Sequence, residues 1–133
     1  MKPKNSESNN SEVKNEHVVR EWTEERPWGR FKNLFESAET KVKLIEVDPQ
    51  KRLSYQSHKN RSEFWVVIRG LAKVVLNDRV FELKVGESIE IPKEAKHRLA
   101  NETDEILQVI ETQTGSYFGE DDITRYQDDW ARA

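Results

Sequence analysis

Hydrophobic and polar residues alternate through the middle of the chain, from about residue 41 to residue 111. Val42 and Leu44 alternate with lysines, and Ile89 and Ile91 alternate with a serine and a glutamate. Period-two alternation is typical of strands with one buried face. No segment in this range keeps the 3.6-residue period of a helix. We therefore predict several short β-strands in this region.

Turn signals separate these stretches at short intervals. Asn77-Asp78 lies between the alternating stretches 72–76 and 79–83, which favours a tight β-hairpin. Arg69-Gly70 bounds another apolar stretch, at residues 64–68. Many short strands at close spacing are typical of an antiparallel sandwich or barrel.

The two ends of the chain differ from this middle part. Residues 1–25 are nearly all polar and bury too little apolar surface to offset their ordering entropy, so we predict a disordered tail there. Residues 26–133 then form a single folded domain of ordinary size. The acidic segment 120–133 predicts a short helix.

Composition and charge exclude several kinds of protein. The net charge is −3 and the basic residues are scattered, whereas nucleic-acid binding needs a clustered basic face. The chain has no cysteine, which excludes disulfides and thiolate zinc sites. No apolar stretch approaches the roughly 20 residues that span a bilayer, and the N-terminus lacks a signal peptide's apolar core. We expect a cytoplasmic protein that binds neither nucleic acid nor membrane.

A ladder of polar side chains runs through residues 54–66. If this segment is one extended strand, one face carries Ser54, Gln56, His58, Asn60, Ser62, Phe64 and Val66. Glu63 then falls on the opposite face. The polar face belongs either to an exposed edge strand or to a ligand cavity inside a small barrel. In the second case we expect a cavity lined by Gln56, His58, Asn60 and His97.

Four segments carry more specific motifs. They are Arg26-Pro27-Trp28-Gly29; Leu53-Ser54-Tyr55-Gln56 with His58, Arg61, Glu63 and Trp65; Ile91-Pro92 with Lys96-His97-Arg98-Leu99 and Asn101; and residues 115–123 with Arg125 and Asp128. The third segment, with the spacing Gly-x5-Pro-x4-His-x3-Asn, resembles the second motif of cupins. Together the four resemble the cupin domain of type II phosphomannose isomerases, which usually follows a mannose-1-phosphate guanylyltransferase domain.

This resemblance implies an all-β cupin fold, a double-stranded β-helix or jelly roll, from about residue 26 to residue 110. It also implies a metal-dependent isomerase that interconverts mannose 6-phosphate and fructose 6-phosphate in mannose or polysaccharide precursor metabolism. The catalytic candidates are His97, Glu63 and Arg61. The substrate-binding candidates are Gln56, Arg98 and Ser54, with Arg61 and Arg98 as the expected phosphate ligands because guanidinium pairs with phosphate.

Three positions depart from the family's pattern. Asn60 and Phe64 stand where the family has histidines, and Glu94 stands where it has a glycine. The remaining metal candidates are His58, His97, Asn60 and Glu63, with Glu63 joining only if a bulge turns it inward. Because two imidazoles alone hold a metal poorly, we expect a divalent transition metal, zinc first, to be weakly bound or absent. Replacing Asn60→His and Phe64→His is then expected to strengthen metal binding.

Three functions remain open at this point. The chain is an isomerase of a phosphorylated hexose, a non-catalytic sugar or sugar-nucleotide binding cupin that has lost part of its metal site, or a partner subunit for a separate guanylyltransferase. We also expect a homodimer, because Trp22, Trp28 and Trp130 lie near the ends of the domain and exposed apolar groups often mark partner surfaces.

Overall fold

Antiparallel β-strands form the described part of this computed structural model, which covers residue 22 and residues 24–129. The strands are β1 (Glu24–Arg26), β2 (Gly29–Glu36), β3 (Thr40–Val47), β4 (Tyr55–Ser57), β5 (Arg61–Arg69), β6 (Ala72–Leu76), β7 (Arg79–Leu83), β8 (Ser88–Ile91), β9 (His97–Ala100), β10 (Leu107–Gly115) and β11 (Thr124–Gln127). Nowhere within these residues is there a helix able to cross a membrane.

Two sheets face each other. The first has the strand order β1-β2-β3-β10-β5-β8 and the second has the order β11-β4-β9-β6-β7. Strands distant in sequence lie side by side, since β10 pairs with both β3 and β5. The predicted hairpin at Asn77-Asp78 joins β6 to β7, and both turn residues have positive φ. These observations confirm the all-β expectation.

Three central strands of the first sheet change from polar to apolar along their inward side. The inward positions are Arg61, Glu63, Trp65 and Val67 on β5; Gln113, Glu111, Val109 and Leu107 on β10; and Lys43, Ile45 and Val47 on β3. The register places Glu63 opposite Gln113 and Trp65 opposite Glu111, so the polar ends lie together. The space between the sheets therefore has an apolar core at one end and a polar cavity at the other.

Residues 54–66 do not form the single strand that the polar ladder predicted. β4 ends at Ser57 in the second sheet and β5 begins at Arg61 in the first, so residues 58–60 cross between sheets. Alternation does not continue through such a crossing. As a result Glu63 is buried inside, whereas Phe64 is 44% exposed on the outer face. The prediction that put Phe64 and Asn60 on the inner face with His58 was wrong.

The ends of the domain also differ from expectation. Residues 124–127 form a strand, β11, and not a helix, while residues 130–133 lie outside the described part. Trp28 is buried in the core at 5% exposure, so it does not supply the surface that the dimer prediction assigned to it. Trp130 and nearly all of the predicted disordered tail lie outside the described residues. Glu24 and Glu25 already belong to β1.

Candidate active site

Three buried side chains converge at the polar end of the cavity. His58 follows β4, Glu63 lies on β5 and His97 begins β9. Glu63 Oε2 lies 3.2 Å from His58 Nε2, and Glu63 Oε1 lies 3.5 Å from His97 Nε2. Donor atoms of the three residues lie within 4.8 Å of one another. The predicted meeting of His58 and His97 is confirmed, with ring centroids 5.1 Å apart, and Glu63 joins them.

Backbone carbonyls orient both imidazoles. His58 Nδ1 lies 2.8 Å from the Asp122 carbonyl oxygen, and His97 Nδ1 lies 2.9 Å from the Ala95 carbonyl oxygen. A carbonyl oxygen can only accept, so each Nδ1 carries a proton, and Nε2 of each ring faces Glu63, where it donates to the carboxylate when protonated and can ligate a metal when that proton is lost. Metal-bound histidines are usually held in this way.

The donor set fits a metal ion. Two imidazole nitrogens and one carboxylate are the protein ligands of one class of catalytic zinc site. A metal ion between the three residues would replace the imidazole protons that otherwise stabilise the Glu63 carboxylate. Burial lowers the pKa of His97, which favours the neutral, ligating form. His58, Glu63 and His97 therefore have the chemistry to hold a divalent transition metal.

Arg61 and Trp65 hold the Glu63 carboxylate in place. Arg61 Nε donates to Glu63 Oε2 at 3.3 Å, and the Trp65 indole N–H donates to Glu63 Oε1 at 3.2 Å. Arg61 Nη2 also lies 3.3 Å from His58 Nε2. Burial acts to raise the pKa of Glu63, but its contacts with His58 and His97 outweigh burial and hold that pKa well below the usual range. Glu63 is therefore an ionised ligand candidate.

A second buried carboxyl, that of Glu111, lies beside Glu63. The same Trp65 N–H donates to Glu111 Oε2 at 3.0 Å, and the Gln113 amide donates to Glu111 Oε1 at 2.8 Å. Burial, together with the neighbouring charge of Glu63, raises the pKa of Glu111 to about 8. The two carboxyl groups thus differ in protonation although they share one indole donor.

The C-terminal segment closes one side of the cavity. The Asp122 carboxylate accepts from the backbone N–H groups of Lys59 and Asn60 at 3.1 and 2.9 Å. Gly115 lets the end of β10 lie against the same loop, because a Cβ at that position would lie 2.2 Å from the Asn60 carbonyl oxygen. The motif at residues 115–123 therefore fixes the loop that carries His58.

The predicted site residues divide into two groups. Ser54, Gln56, His58, Arg61, Glu63 and His97 all line the cavity. Asn60 is exposed and is absent from the lining, so its prediction as a metal ligand was wrong. Arg98 is also outside, because its guanidinium donates to the Leu53 carbonyl at 2.8 Å and to Gln127 Oε1 at 3.0 Å, which ties β9 to β11.

Sequence reasoning missed six polar residues that line the cavity: Arg26, Lys43, Glu111, Gln113, Glu120 and Arg125. Glu111 and Gln113 occupy the same alternate positions of β10 as the apolar Leu107 and Val109. Two polar residues at positions expected to be buried were a usable signal of a polar cavity. Lys43 looked like an ordinary solvent-facing alternate, because its neighbours Val42 and Leu44 gave the stronger hydrophobic pattern.

Comparisons with solved structures give the fold. KdgF from Halomonas sp. has a TM-score of 0.67 at 18% identity, covering 77% of this chain and 90% of that protein. The oxalate decarboxylase of Lactobacillus farciminis has the same TM-score at 19% identity, covering 77% of this chain and 32% of that protein. Likenesses to double-stranded β-helix and cupin proteins confirm the predicted cupin fold.

Comparisons with curated sequences give the family. The alginate biosynthesis protein AlgA of Pseudomonas aeruginosa is 44% identical over 107 residues, which are 80% of this chain and 22% of AlgA. The xanthan biosynthesis protein XanB of Xanthomonas campestris is 42% identical over 107 residues, or 80% of this chain and 23% of XanB. The chain thus spans less than a quarter of these relatives. The family model described as mannose-6-phosphate isomerase C-terminal matches residues 9–128, and the chain belongs to that family.

Proposed function

We propose that this chain catalyses the aldose–ketose isomerisation of a phosphorylated hexose, with mannose 6-phosphate and fructose 6-phosphate as the pair. The observation that carries the proposal is the convergence of His58, Glu63 and His97 in a polar cavity that also holds a separate buried carboxyl. Membership of the family and the polysaccharide biosynthesis relatives support the choice of substrate.

The three converging side chains are the proposed metal ligands. A divalent transition metal held by His58, Glu63 and His97 would polarise the carbonyl oxygen of the substrate. Arg61 and Trp65 keep the Glu63 carboxylate in position for this role through their hydrogen bonds.

Glu111 is the proposed acid–base group. Isomerisation removes the proton on C2 of the aldose and delivers a proton to C1, which needs a positioned base. Among the carboxyl groups lining the described cavity, Glu63 belongs to the donor group, and Glu120 is exposed and pairs with Arg26 at 3.4 Å. Glu111 is buried beside Glu63 and is held by Trp65 and Gln113. It is therefore the carboxyl best placed for proton transfer.

Ser54 and Gln56 are the proposed ligands of the sugar hydroxyls. Both line the cavity, Ser54 from the segment before β4 and Gln56 from within β4. Ser54 Oγ is buried and has no hydrogen-bond partner among the described residues. Because an unsatisfied buried hydroxyl is costly, a sugar hydroxyl is a natural partner for it.

One contact favours a second candidate function, the binding of a sugar without turnover. Arg61 Nη2 lies at hydrogen-bond distance from His58 Nε2, which is the nitrogen that would ligate a metal. If Arg61 keeps this position, the cavity binds its ligand in the absence of a metal and the chain is a sugar-phosphate binding module.

A coupled assay for fructose 6-phosphate distinguishes the two functions. The chain is first stripped with a chelator and then supplied in turn with zinc, cobalt and manganese. The isomerase proposal predicts turnover with at least one metal and its loss in Glu63→Gln. Phe64→Ala, which changes an outward side chain on the same strand, is the matched control and keeps turnover. Saturable binding of mannose 6-phosphate without turnover under all metals would favour the binding module.

A further inference from the structure

Four cationic side chains line the cavity, and three of them remain when Arg61, which donates to Glu63, is set aside. Arg26 lies on β1, Lys43 on β3 and Arg125 on β11. Arg26 is at the rim, where it pairs with Glu24 at 2.5 Å and with Glu120 at 3.4 Å. Lys43 and Arg125 differ from Arg26, because neither donates a hydrogen bond to a carboxylate among the described residues, whereas Arg26 donates to Glu120.

Arg125 has an unused buried donor. Its Nε is buried and has no hydrogen-bond partner among the described residues, and Asp128 Oδ2 lies 3.7 Å from it, beyond hydrogen-bond distance. A buried guanidinium nitrogen without an acceptor is costly. An anion in the cavity would supply the acceptor.

The position of Arg125 relative to the metal donors suits an extended ligand. Arg125 on β11 pairs with Gln56 on β4, and Gln56 pairs with His97 on β9. Two strand spacings put the α-carbons of Arg125 and His97 about 10 Å apart on the same sheet. All three side chains line the cavity, so one ligand can contact both Arg125 and His97, with Gln56 between them.

Lys43 approaches the cavity from the opposite sheet. Its ammonium lies 4.3 Å from the centroid of the Phe31 ring. Glu111 lies directly across from it on β10, but both Glu111 oxygens already accept hydrogen bonds, from Trp65 and Gln113. Burial lowers the pKa of Lys43 and the charge of Glu111 offsets only part of that effect, so an anion beside the ammonium would stabilise its charged form further.

The two arginines that the sequence suggested for an anion have other partners. Arg61 donates to Glu63 Oε2 and to His58 Nε2, so its guanidinium is bound to two members of the metal donor group. Arg98 donates to the Leu53 carbonyl and to Gln127, outside the cavity lining. Every guanidinium nitrogen of these two arginines therefore already has an acceptor.

We propose that Lys43 and Arg125 form an anion subsite that binds the phosphate group of the ligand, while the carbonyl end of the sugar lies at His58, Glu63 and His97. The identity of the ligand as a hexose phosphate rests on the proposed function. The anion subsite itself does not, because it follows from the buried Arg125 Nε, which lacks a hydrogen-bond acceptor among the described residues, and from the Lys43 side chain in the same cavity.

Ligand binding to charge-removing variants tests the subsite. Calorimetric titrations with inorganic phosphate, mannose 6-phosphate and mannose are made on the native chain and on Arg125→Gln and Lys43→Met. Each variant is expected to bind both phosphate ligands at least about tenfold more weakly, because a charge-assisted hydrogen bond or ion pair is lost. Binding of mannose, which has no phosphate, should change little.

Two further variants serve as matched controls for the loss of one charge. Arg79→Gln removes an exposed arginine that lies over the Phe81 ring, and Lys73→Met removes a lysine paired with Glu102 outside the cavity. Both should bind phosphate ligands as the native chain does. Arg125→Lys keeps the charge and should retain part of the phosphate affinity. Its comparison with Arg125→Gln tests the subsite even if Lys43→Met fails to fold.

The outcomes separate this inference from the proposed function. If the chain shows no turnover but Arg125→Gln and Lys43→Met still weaken phosphate binding, the isomerase proposal fails and the anion subsite stands. If the chain turns over and neither variant raises KM, the subsite is wrong and the isomerase proposal stands. Native protein that does not bind phosphate or mannose 6-phosphate would also overturn the subsite.

Discussion

The Glu63 carboxylate lies 3.2 Å from the His58 imidazole, although alternation along a single strand would put these two side chains on opposite faces. The pairing arises because the chain leaves the second sheet after Ser57 and enters the first sheet at Arg61. The crossing brings the end of one strand and the start of another to the same side of the cavity. The third ligand candidate is therefore the Glu63 carboxylate, and not a side chain at position 60 or 64, where the family has histidines.

This geometry reverses the expected effect of restoring the family's histidines. Asn60→His and Phe64→His should leave metal affinity unchanged, because Asn60 and Phe64 are exposed outside the cavity lining. Glu63→Gln should weaken metal affinity at least about tenfold, since it removes the charged donor. Competition with a chromophoric chelator measures all three. Tighter zinc binding by the double histidine variant would contradict the inward placement of Glu63.

Trp65 is expected to position both buried carboxyl groups. Its indole N–H contacts Glu63 Oε1 and Glu111 Oε2, so Trp65→Phe removes one donor from two acceptors. We expect a loss of about 1–3 kcal/mol in the free energy of unfolding together with weaker metal binding. Chemical denaturation and metal competition measure these effects. Trp28→Phe, at a buried core tryptophan, should lower stability alone, and equal metal affinities in the two variants would count against the positioning role.

Replacement of Glu111 should separate binding from chemistry. Glu111→Gln keeps the size of the side chain and its ability to accept from Trp65, but it removes the group that accepts a proton. We expect kcat to fall about 100-fold or more while mannose 6-phosphate and metal still bind. Turnover numbers and equilibrium titrations on the same preparation provide the comparison. Undiminished kcat in this variant would show that another residue transfers the proton.

The attachment of the C-terminal segment should weaken in acid. Arg52 donates to both oxygens of Asp129 at 2.6 and 3.0 Å, and these bonds hold the pKa of Asp129 below its usual range. A carboxyl with a lowered folded-state pKa contributes stability above its unfolded pKa and loses it as pH falls through the folded value. The loss therefore begins below the ordinary pKa of 3.8.

Carboxyl carbon NMR titrations measure this effect directly. In Arg52→Gln the midpoint of the Asp129 titration should rise towards 3.8, the ordinary value. Arg69→Gln, at an exposed arginine on a different strand, controls for the loss of one positive charge and should leave the midpoint unchanged. A midpoint for Asp129 that is the same in the native chain and in Arg52→Gln would refute the anchoring contact.

Local patterns predicted the strands well, and motif spacing predicted the meeting of His58 with His97. Both follow from short-range rules, namely alternation of side chains and the residues that turns require. The direction of Glu63 did not follow, because it depends on a change of sheet at residues 58–60 that no alternation reveals. Lys43 and Arg125 were missed for a related reason, since the cavity between the two sheets brings together strands far apart in sequence.

The carbon-bound protons of mannose 6-phosphate provide the most direct test of the proposed isomerisation. In heavy water, with a divalent transition metal supplied, proton NMR should show the C2 proton signal of mannose 6-phosphate decreasing as deuterium enters and fructose 6-phosphate forms. Exchange should stop on addition of a chelator and should be absent in Glu63→Gln. A metal-loaded native chain that binds mannose 6-phosphate and leaves both the C2 proton signal and the sugar unchanged would contradict the proposed isomerase.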